Sequence, residues 1–83
     1  MALLLFLGKL GALAGSGEQQ VSLPAGISDV EALRDWLADG QASLGTELRA
    51  PGVRVAVNRQ LIIGRAPIGD TDEIAFLPPM SGG

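Results

Sequence analysis

The chain alternates short apolar runs with glycine-rich turns, and the spacing within each run predicts its structure. Ala2–Leu7 is apolar throughout, which is typical of a central strand covered on both faces. Val21 and Leu23 alternate with polar residues in the segment 18–23, so we expect a second strand that pairs with the first as a hairpin. The segment 8–15 is rich in Gly and Ala and predicts one or two turns of helix.

The clearest helix signal covers residues 28–39. Three apolar residues recur there at helical spacing: Val30, Leu33 and Leu37. Ser28 and Glu31 have the spacing of a capping box, in which the Ser28 hydroxyl accepts from the backbone N–H of Glu31. Gly40 stands where a helix stop belongs. We therefore predict one main helix between Ser28 and Gly40.

Three more strands are predicted in the second half of the chain. Val53–Val57 places its valines on one face, and Asn58–Arg59 is a turn signal because Asn tolerates a left-handed backbone. Residues 60–63 return as a short strand, and Glu73–Leu77 forms the last one. The segment 41–50 is ambiguous, with a short helix as one interpretation.

The resulting order, β-β-α-β-β-β, predicts an α+β fold in which a mixed sheet of about five strands packs on one main helix. A right-handed crossover through the helix would set a later strand beside the first and parallel to it. Eighty-three residues with a hydrophobic fraction of 47% are enough for one modest core. We assign residues 1–77 to that domain and 78–83 to an extended tail, because Pro78 and Pro79 cannot continue a sheet ladder.

The residue types that are missing exclude several classes of function. The chain has no Cys and no His, so it has no thiol nucleophile, no imidazole base and no Ser-His-Asp arrangement. We therefore do not expect an enzyme that works alone. A net charge of −3 argues against binding to nucleic acid. The apolar start is too short to span a bilayer, and Lys9 follows it instead of preceding it, unlike a signal peptide. We expect a cytoplasmic protein with no membrane association.

Two clusters of charge are visible in the second half of the chain. Four of the five arginines fall in one stretch: Arg49, Arg54, Arg59 and Arg65. We interpret them as a solvated surface around a hairpin in preference to a dedicated anion site. The other cluster is acidic: Asp70, Asp72 and Glu73. Its spacing lacks the rest of a calcium loop, so we favour a solvated turn and predict no metal site.

The tail is the one segment whose chemistry stands out. Gly82 and Gly83 carry no side chains, so a narrow groove could admit them up to the carboxylate. That carboxylate is the acyl group that a partner could convert without touching the fold. The alternative is a frayed end, which is the default for chain termini.

The segment Asp72–Gly83, with its Phe-x-Pro-Pro-x-Ser-Gly-Gly ending, resembles the C-terminal signature of the small subunits of molybdopterin synthase. These are sulfur carriers with the ubiquitin-like β-grasp fold. Four further segments carry the resemblance along the chain: Leu5–Phe6, Ser28–Leu33, Val57–Asn58 and Gly69–Glu73. Two departures stand beside it, since residues 8–14 lack a charged pair common in the family and Leu77 replaces a frequent Phe.

The resemblance implies a reaction and two protein partners. An ATP-dependent activating enzyme would adenylate Gly83, and sulfur delivery would then give a Gly83 thiocarboxylate. The tail would enter the large catalytic subunit and donate sulfur to cyclic pyranopterin monophosphate, in a heterotetramer of two large and two small subunits. No cofactor would be bound stably, because the ATP is used by the activating enzyme. The implied tail residues are Pro78, Pro79, Met80, Ser81, Gly82 and Gly83.

The resemblance also implies a contact surface for the large subunit. Leu7, Leu61 and Leu77 match family positions that contact it, although Leu7 or Leu61 could equally belong to the core. Three alternative functions remain open: a sulfur carrier for thiamine, cysteine or tungsten-cofactor synthesis, a ubiquitin-like protein modifier, and a non-covalent interaction module. The lone Lys9 argues against chain building by a modifier but not against modification of other proteins.

Overall fold

The strands predicted from the apolar runs assemble into one mixed sheet. The structure is a computed structural model that describes residues 1–79. Its strands are β1 (Ala2–Phe6), β2 (Glu18–Val21), β3 (Arg54–Val57), β4 (Gln60–Leu61) and β5 (Glu73–Leu77). Its helices are α1 (Lys9–Ala14), α2 (Val30–Gly40) and α3 (Ala42–Leu48).

The strands lie in the order β2-β1-β5-β3-β4. β5 runs parallel to β1, and the other neighbouring strands are antiparallel. The predicted mixed sheet is therefore confirmed, including the parallel strand that the crossover rule placed beside the first one. The last strand occupies the middle of the sheet.

The core lies between one face of the sheet and the helices. Phe6 on β1 and Phe76 on β5 stack with their ring centroids 5.5 Å apart and an angle of 11° between the rings. Leu4 and Ile74 are buried beside them, and Leu33 of α2 packs into the same cluster. Burying one large aliphatic or aromatic side chain stabilises a fold by about 1.5–3 kcal/mol, so these central residues hold the sheet to the helices.

The interpretation of β1 as a strand covered on both faces is wrong. Its burial alternates, with Leu4 and Phe6 buried and Leu3 and Leu5 only half-buried. The helices cover the face that carries Leu4 and Phe6, and the face that carries Leu3 and Leu5 is only partly covered in residues 1–79. The apolar residues Leu3 and Leu5 on the second side of β1 therefore belong to a sheet face that the helices do not cover.

The cap of α2 lies one residue later than predicted. Asp29 is the N-cap, and its carboxylate accepts from the backbone N–H of Ala32 at 2.7 Å. The capping box at Ser28 is therefore wrong, and Glu31 pairs instead with Arg34 at 2.9 Å. Asp and Ser are about equally good N-caps, and the Asp29 carboxylate also bears the negative charge that the helix dipole favours at this end.

The ambiguous segment 41–50 contains α3, and the segment 8–15 contains the predicted short helix α1. α2 and α3 pack closely where Gly45 meets the Ala38 side chain, since a Cβ at Gly45 would lie 2.8 Å from the Ala38 Cα. β4 is shorter than the predicted segment 60–63. None of the helices in the described part of the chain has the length and apolar character needed to cross a bilayer.

Candidate functional site

The tail begins at the end of the central strand. β5 is hydrogen-bonded to β1 on one side and to β3 on the other, so its last residue, Leu77, is held from both sides. The backbone N–H of Leu7 donates to the Phe76 carbonyl at 3.0 Å, which extends the pairing with β1 to that end. Pro78 follows Leu77 directly. The tail therefore leaves from the central strand of the sheet, which is paired on both sides.

Two glycines contact the prolines at the root of the tail. A Cβ at Gly8 would lie 3.2 Å from Cγ of Pro78, and a Cβ at Gly52 would lie 2.9 Å from Cβ of Pro79. Both glycines have positive φ angles, +56° at Gly8 and +89° at Gly52, where a side chain is strained. Each position thus needs glycine for its backbone and for the close approach of a proline.

The remaining predicted tail residues, Met80, Ser81, Gly82 and Gly83, lie outside the described residues. The described part of the site is therefore the root of the tail and the surface around it. Sequence reasoning named Pro78 and Pro79 but missed Gly8 and Gly52. No local pattern identifies these glycines, because their proline partners lie 70 residues away along the chain for Gly8 and 27 residues away for Gly52.

The predicted contact leucines lie on the face of the sheet that the helices leave open. Leu7 is 41% exposed and Leu61 is 61% exposed, so neither is a core residue, whereas Leu77 is half-buried. Residues paired directly across neighbouring strands share a face of the sheet. Ala75 pairs with Leu5 on β1 and with Ala56 on β3, and Ala56 pairs in turn with Leu61.

These pairings define an outer sheet face that is apolar across four strands. Its residues are Leu3, Leu5, Leu7, Ala56, Leu61, Ala75 and Leu77. Sequence reasoning found Leu7, Leu61 and Leu77 but assigned the alternating leucines of β1 to the core. Leu7 and Leu61 are exposed on this face, and grouped exposed apolar side chains mark an interaction surface more often than a bare exterior.

Charged residues border the outer sheet face. Arg54 pairs with Leu77 across β3 and β5, and it is exposed at the end of the face where the tail starts. Glu73 pairs with Leu3, and Glu18 pairs with Leu5 toward the β2 edge. The apolar surface therefore has a cation beside the tail and carboxylates farther away.

The arginine stretch does not form one anion site. Arg59 pairs with Glu73 at 3.6 Å and Arg65 pairs with Asp29 at 3.1 Å, while Arg49 pairs with Asp35 on the helix side. The partners lie on different elements, so the arginines are spread over the surface. This agrees with the interpretation as solvated charge for the three arginines that are paired.

The acidic turn is occupied by structural hydrogen bonds. Asp72 accepts from the Asn58 side-chain amide at 2.9 Å and from the backbone N–H of Gly69 at 2.7 Å, and both bonds lower its pKa. The backbone N–H of Leu23 donates to Asp70 at 2.8 Å and lowers the pKa of that carboxyl. Within residues 1–79, no three acidic side chains come together as a metal-binding group.

Two surface clefts lie in the described part of the chain, and only the second adjoins the root of the tail. One, of about 410 Å³, is largely apolar and is lined by residues that include Phe6, Trp36 and Leu44. The other, of about 340 Å³, adjoins Gly52 and contains Arg34 with its Glu31 partner. Neither cleft brings a nucleophile beside a general base in the described part of the chain.

Comparison with known proteins identifies relatives along the whole chain. Residues 4–83 match the ThiS family. The molybdopterin synthase sulfur carrier subunit of Escherichia coli (strain K12) is 34% identical over 83 residues, which cover 100% of both chains. This alignment includes the tail and the outer sheet face.

Solved structures share the fold. The putative molybdopterin converting factor subunit 1 from Pyrococcus furiosus superposes with a TM-score of 0.76 at 22% identity, covering 95% of this chain and 97% of that one. The small archaeal modifier protein 1 from Methanosarcina acetivorans gives 0.79 at 22%, covering 99% and 95%. Subunits 1 and 2 of the molybdopterin-converting factor from Helicobacter pylori form a complex that matches with 0.65 at 24%, covering 99% and 97%. These likenesses confirm the ubiquitin-like β-grasp fold.

Proposed function

The chain belongs to the ThiS family, and on that premise we propose that it is the sulfur-carrier subunit of a molybdopterin synthase. The observation that carries the proposal is the 34% identity with the Escherichia coli sulfur carrier subunit, which covers both chains from end to end. The Gly82–Gly83 ending and the tail that leaves the central strand support it. The lack of Cys and His fits a donor whose catalytic groups belong to its partners.

The reaction proceeds through three forms of Gly83. Its carboxylate attacks the α-phosphorus of ATP on an activating enzyme, which releases pyrophosphate and leaves an acyl-adenylate. A sulfide-level sulfur nucleophile attacks the acyl carbon, AMP leaves, and the thiocarboxylate results. The thiocarboxylate sulfur then forms a C–S bond at a side-chain carbon of cyclic pyranopterin monophosphate and displaces an oxygen substituent there, and water cleaves the acyl–sulfur bond to restore the carboxylate. Thiolate-type sulfur is the reactive form at neutral pH.

The large catalytic subunit binds the outer sheet face and receives the tail. A complex of the two subunits is the form in which the Helicobacter pylori proteins were solved. Leu7, Leu61 and Leu77 form the apolar centre of this contact. Pro78 and Pro79 restrict the tail before binding and so reduce the entropy lost when it is ordered. Two small subunits bind a dimer of large subunits, one at each end.

The remaining elements of the proposal follow from the same chemistry. The chain binds no cofactor stably, since ATP is consumed on the activating enzyme. It works in the cytoplasm, where a thiocarboxylate and its partner enzymes meet. It does not contact nucleic acid, in keeping with its net charge of −3.

The intact mass of the protein tests the proposal. The protein is purified without a C-terminal tag from cells with an active cofactor pathway, and its mass is mapped to the terminal residues. We expect a gain equal to the exchange of one oxygen for sulfur at Gly83. The matched control carries one extra alanine after Gly83, and its mass should not change. An unmodified wild-type mass after incubation with ATP, a sulfur donor and the cognate activating enzyme would overturn the carrier function.

A second step separates the proposal from the alternative functions. The thiocarboxylated protein is mixed with the cognate large subunit and cyclic pyranopterin monophosphate. Loss of sulfur from the protein with formation of a dithiolene supports the molybdopterin pathway. Retention of sulfur there, with transfer to another small acceptor, assigns the carrier to a different pathway. Isopeptide conjugates on other proteins would favour the modifier function. The chain shares its fold with a small archaeal modifier protein.

A further inference from the structure

Arg54 differs from every other cationic side chain in its ion pairing. The chain has six Lys and Arg residues, and all of them lie within the described residues. Five have a carboxylate within ion-pair distance, in the pairs Lys9–Glu47, Arg34–Glu31, Arg49–Asp35, Arg59–Glu73 and Arg65–Asp29. Arg54 has none in residues 1–79. Among residues 1–79, one cationic side chain thus has no carboxylate within ion-pair distance, although the net charge of the chain is −3.

The unpaired cation stands at a defined place on the molecule. Arg54 is the first residue of β3 and is directly opposite Leu77 in the antiparallel pairing of β3 and β5. Because residues opposite each other share a face, Arg54 belongs to the outer sheet face and borders its apolar centre. Gly52, two residues earlier, contacts Pro79. Arg54 therefore lies beside the root of the tail.

A docked partner would change the surroundings of this side chain. A protein that covers Leu77 and receives the tail also removes water from its neighbour, Arg54. Removing water from an unpaired guanidinium is unfavourable unless an acceptor replaces it. A carboxylate is the acceptor that matches the planar fork of arginine with two parallel hydrogen bonds. We therefore expect a protein that covers Leu77 to place an anionic group beside the exposed Arg54 side chain.

We propose that Arg54 binds an Asp or Glu side chain of the large subunit at the point where the tail enters it. The proposal rests on the proposed function, which supplies the docking of the outer sheet face. It adds the chemistry of the partner surface, namely an apolar patch that faces Leu7, Leu61 and Leu77 with a carboxylate at its tail-side edge. The continuity of Arg54 with that apolar face favours the large subunit over a partner that holds only the tail.

Binding of the purified cognate large subunit to the unmodified protein tests this. We expect Arg54→Ala to raise Kd roughly tenfold, which corresponds to a typical truncation at an interface. Arg54→Glu should weaken binding further because it places like charges together, and Arg54→Lys should fall between wild type and Arg54→Ala. The wild-type Kd should rise between about 50 and about 500 mM salt, and the Arg54→Ala Kd should rise less.

Arg49→Ala is the matched control because Arg49 is exposed but pairs with Asp35 on the helix side. It should bind like wild type, and thermal unfolding verifies that each variant folds. Equal Kd values and salt dependence for the Arg54 and Arg49 variants would overturn the Arg54 proposal. Leu61→Asp is a second variant on the outer sheet face. If it abolishes binding in that case, the docking of this face to the large subunit remains supported. The Arg54 proposal would also be overturned if the Arg54 variants bound the activating enzyme more weakly than wild type but bound the large subunit equally well. A wild-type chain that does not bind the large subunit would refute the proposed function itself.

Discussion

Replacing Gly52 with alanine tests whether the tail is aimed by its root. The substitution has two separate effects. A residue with a Cβ at φ +89° is strained by about 1–2 kcal/mol. The added methyl group would also lie 2.9 Å from the Cβ of Pro79, a distance at which one of the two must move. Gly52 lies two residues before β3, which is held in the sheet. We therefore expect Pro79 and the tail to be displaced and Gly52 to stay in place.

Gly26→Ala separates the two effects. Gly26 has nearly the same backbone conformation, φ +94°, but no atom within 4 Å of the position its Cβ would take. Both variants should therefore lose about 1–2 kcal/mol of stability through strain. For a domain of this size, each kcal/mol lowers Tm by about 4–8 °C. Thermal unfolding should show a similar decrease for both, with an added decrease for Gly52→Ala if Pro79 resists displacement.

Sulfur transfer should distinguish the variants. Each is converted to the thiocarboxylate and mixed with excess large subunit and cyclic pyranopterin monophosphate in a single turnover. Misplacement of a reacting group by about 1 Å can slow a reaction by about a hundredfold. We expect Gly52→Ala to transfer sulfur roughly 10- to 100-fold more slowly than wild type. Gly26→Ala should stay close to wild type at a temperature where both are folded.

Equal transfer rates for the two variants would refute the idea that Gly52 positions the tail. Gly8→Ala provides a milder version, because its Cβ would lie 3.2 Å from Cγ of Pro78 at the end of a flexible ring. If Gly52→Ala does not fold, the same comparison between Gly8→Ala and Gly26→Ala replaces it. A slower transfer by Gly8→Ala with unchanged affinity for the large subunit would support the positioning role.

Two further predictions concern stability. Gly45→Ala would press a methyl group onto Ala38 between α2 and α3 and should destabilise the fold by about 1–3 kcal/mol. In Gly40→Ala the new methyl group would meet no atom within 4 Å, so this variant should be neutral or stabilising by up to about 1 kcal/mol. Urea unfolding measures both free energies. Asp72 has a lowered pKa, so its bond to Asn58 stabilises the fold above the usual carboxyl pKa of 3.8 and is lost as the pH falls through the lower folded value. Asp72→Asn should therefore unfold more readily at neutral pH, and its difference from wild type should shrink in acid; a difference that is the same at both pH values would contradict this.

The order of elements could be predicted from the sequence because each strand or helix has its own local period. The helix around Leu33 and the turn at Asn58 follow from residue types within a few positions, and the structure confirms both. The α+β class and the parallel last strand followed from connection rules that need no coordinates. The cap at Asp29 was missed because Ser28 and Asp29 are both good caps, and their relative strength depends on how the chain enters the helix.

The covering of β1 could not be predicted for a different reason. An all-apolar strand has the same sequence whether a helix or another protein covers its second face. The sequence therefore predicts Leu3 and Leu5 as core residues, although both are only half-buried in the structure. The contacts of Gly8 and Gly52 with the prolines depend on long-range geometry, so no spacing rule points to them. The roles of Leu7, Leu61 and Leu77 in binding a partner remain predictions.

The central position of β5 has a consequence for the order of events in biosynthesis. Leu3 pairs with Glu73 across almost the whole length of the chain. Contacts between residues so distant in sequence form late, because the entropy of closing the intervening loop must be overcome first. The middle of the sheet is thus absent until the segment that precedes the tail has been synthesised. A chain that ends before β5 has neither a finished sheet nor a tail, so under the proposed function an activating enzyme that requires both would act only on chains whose sheet is complete.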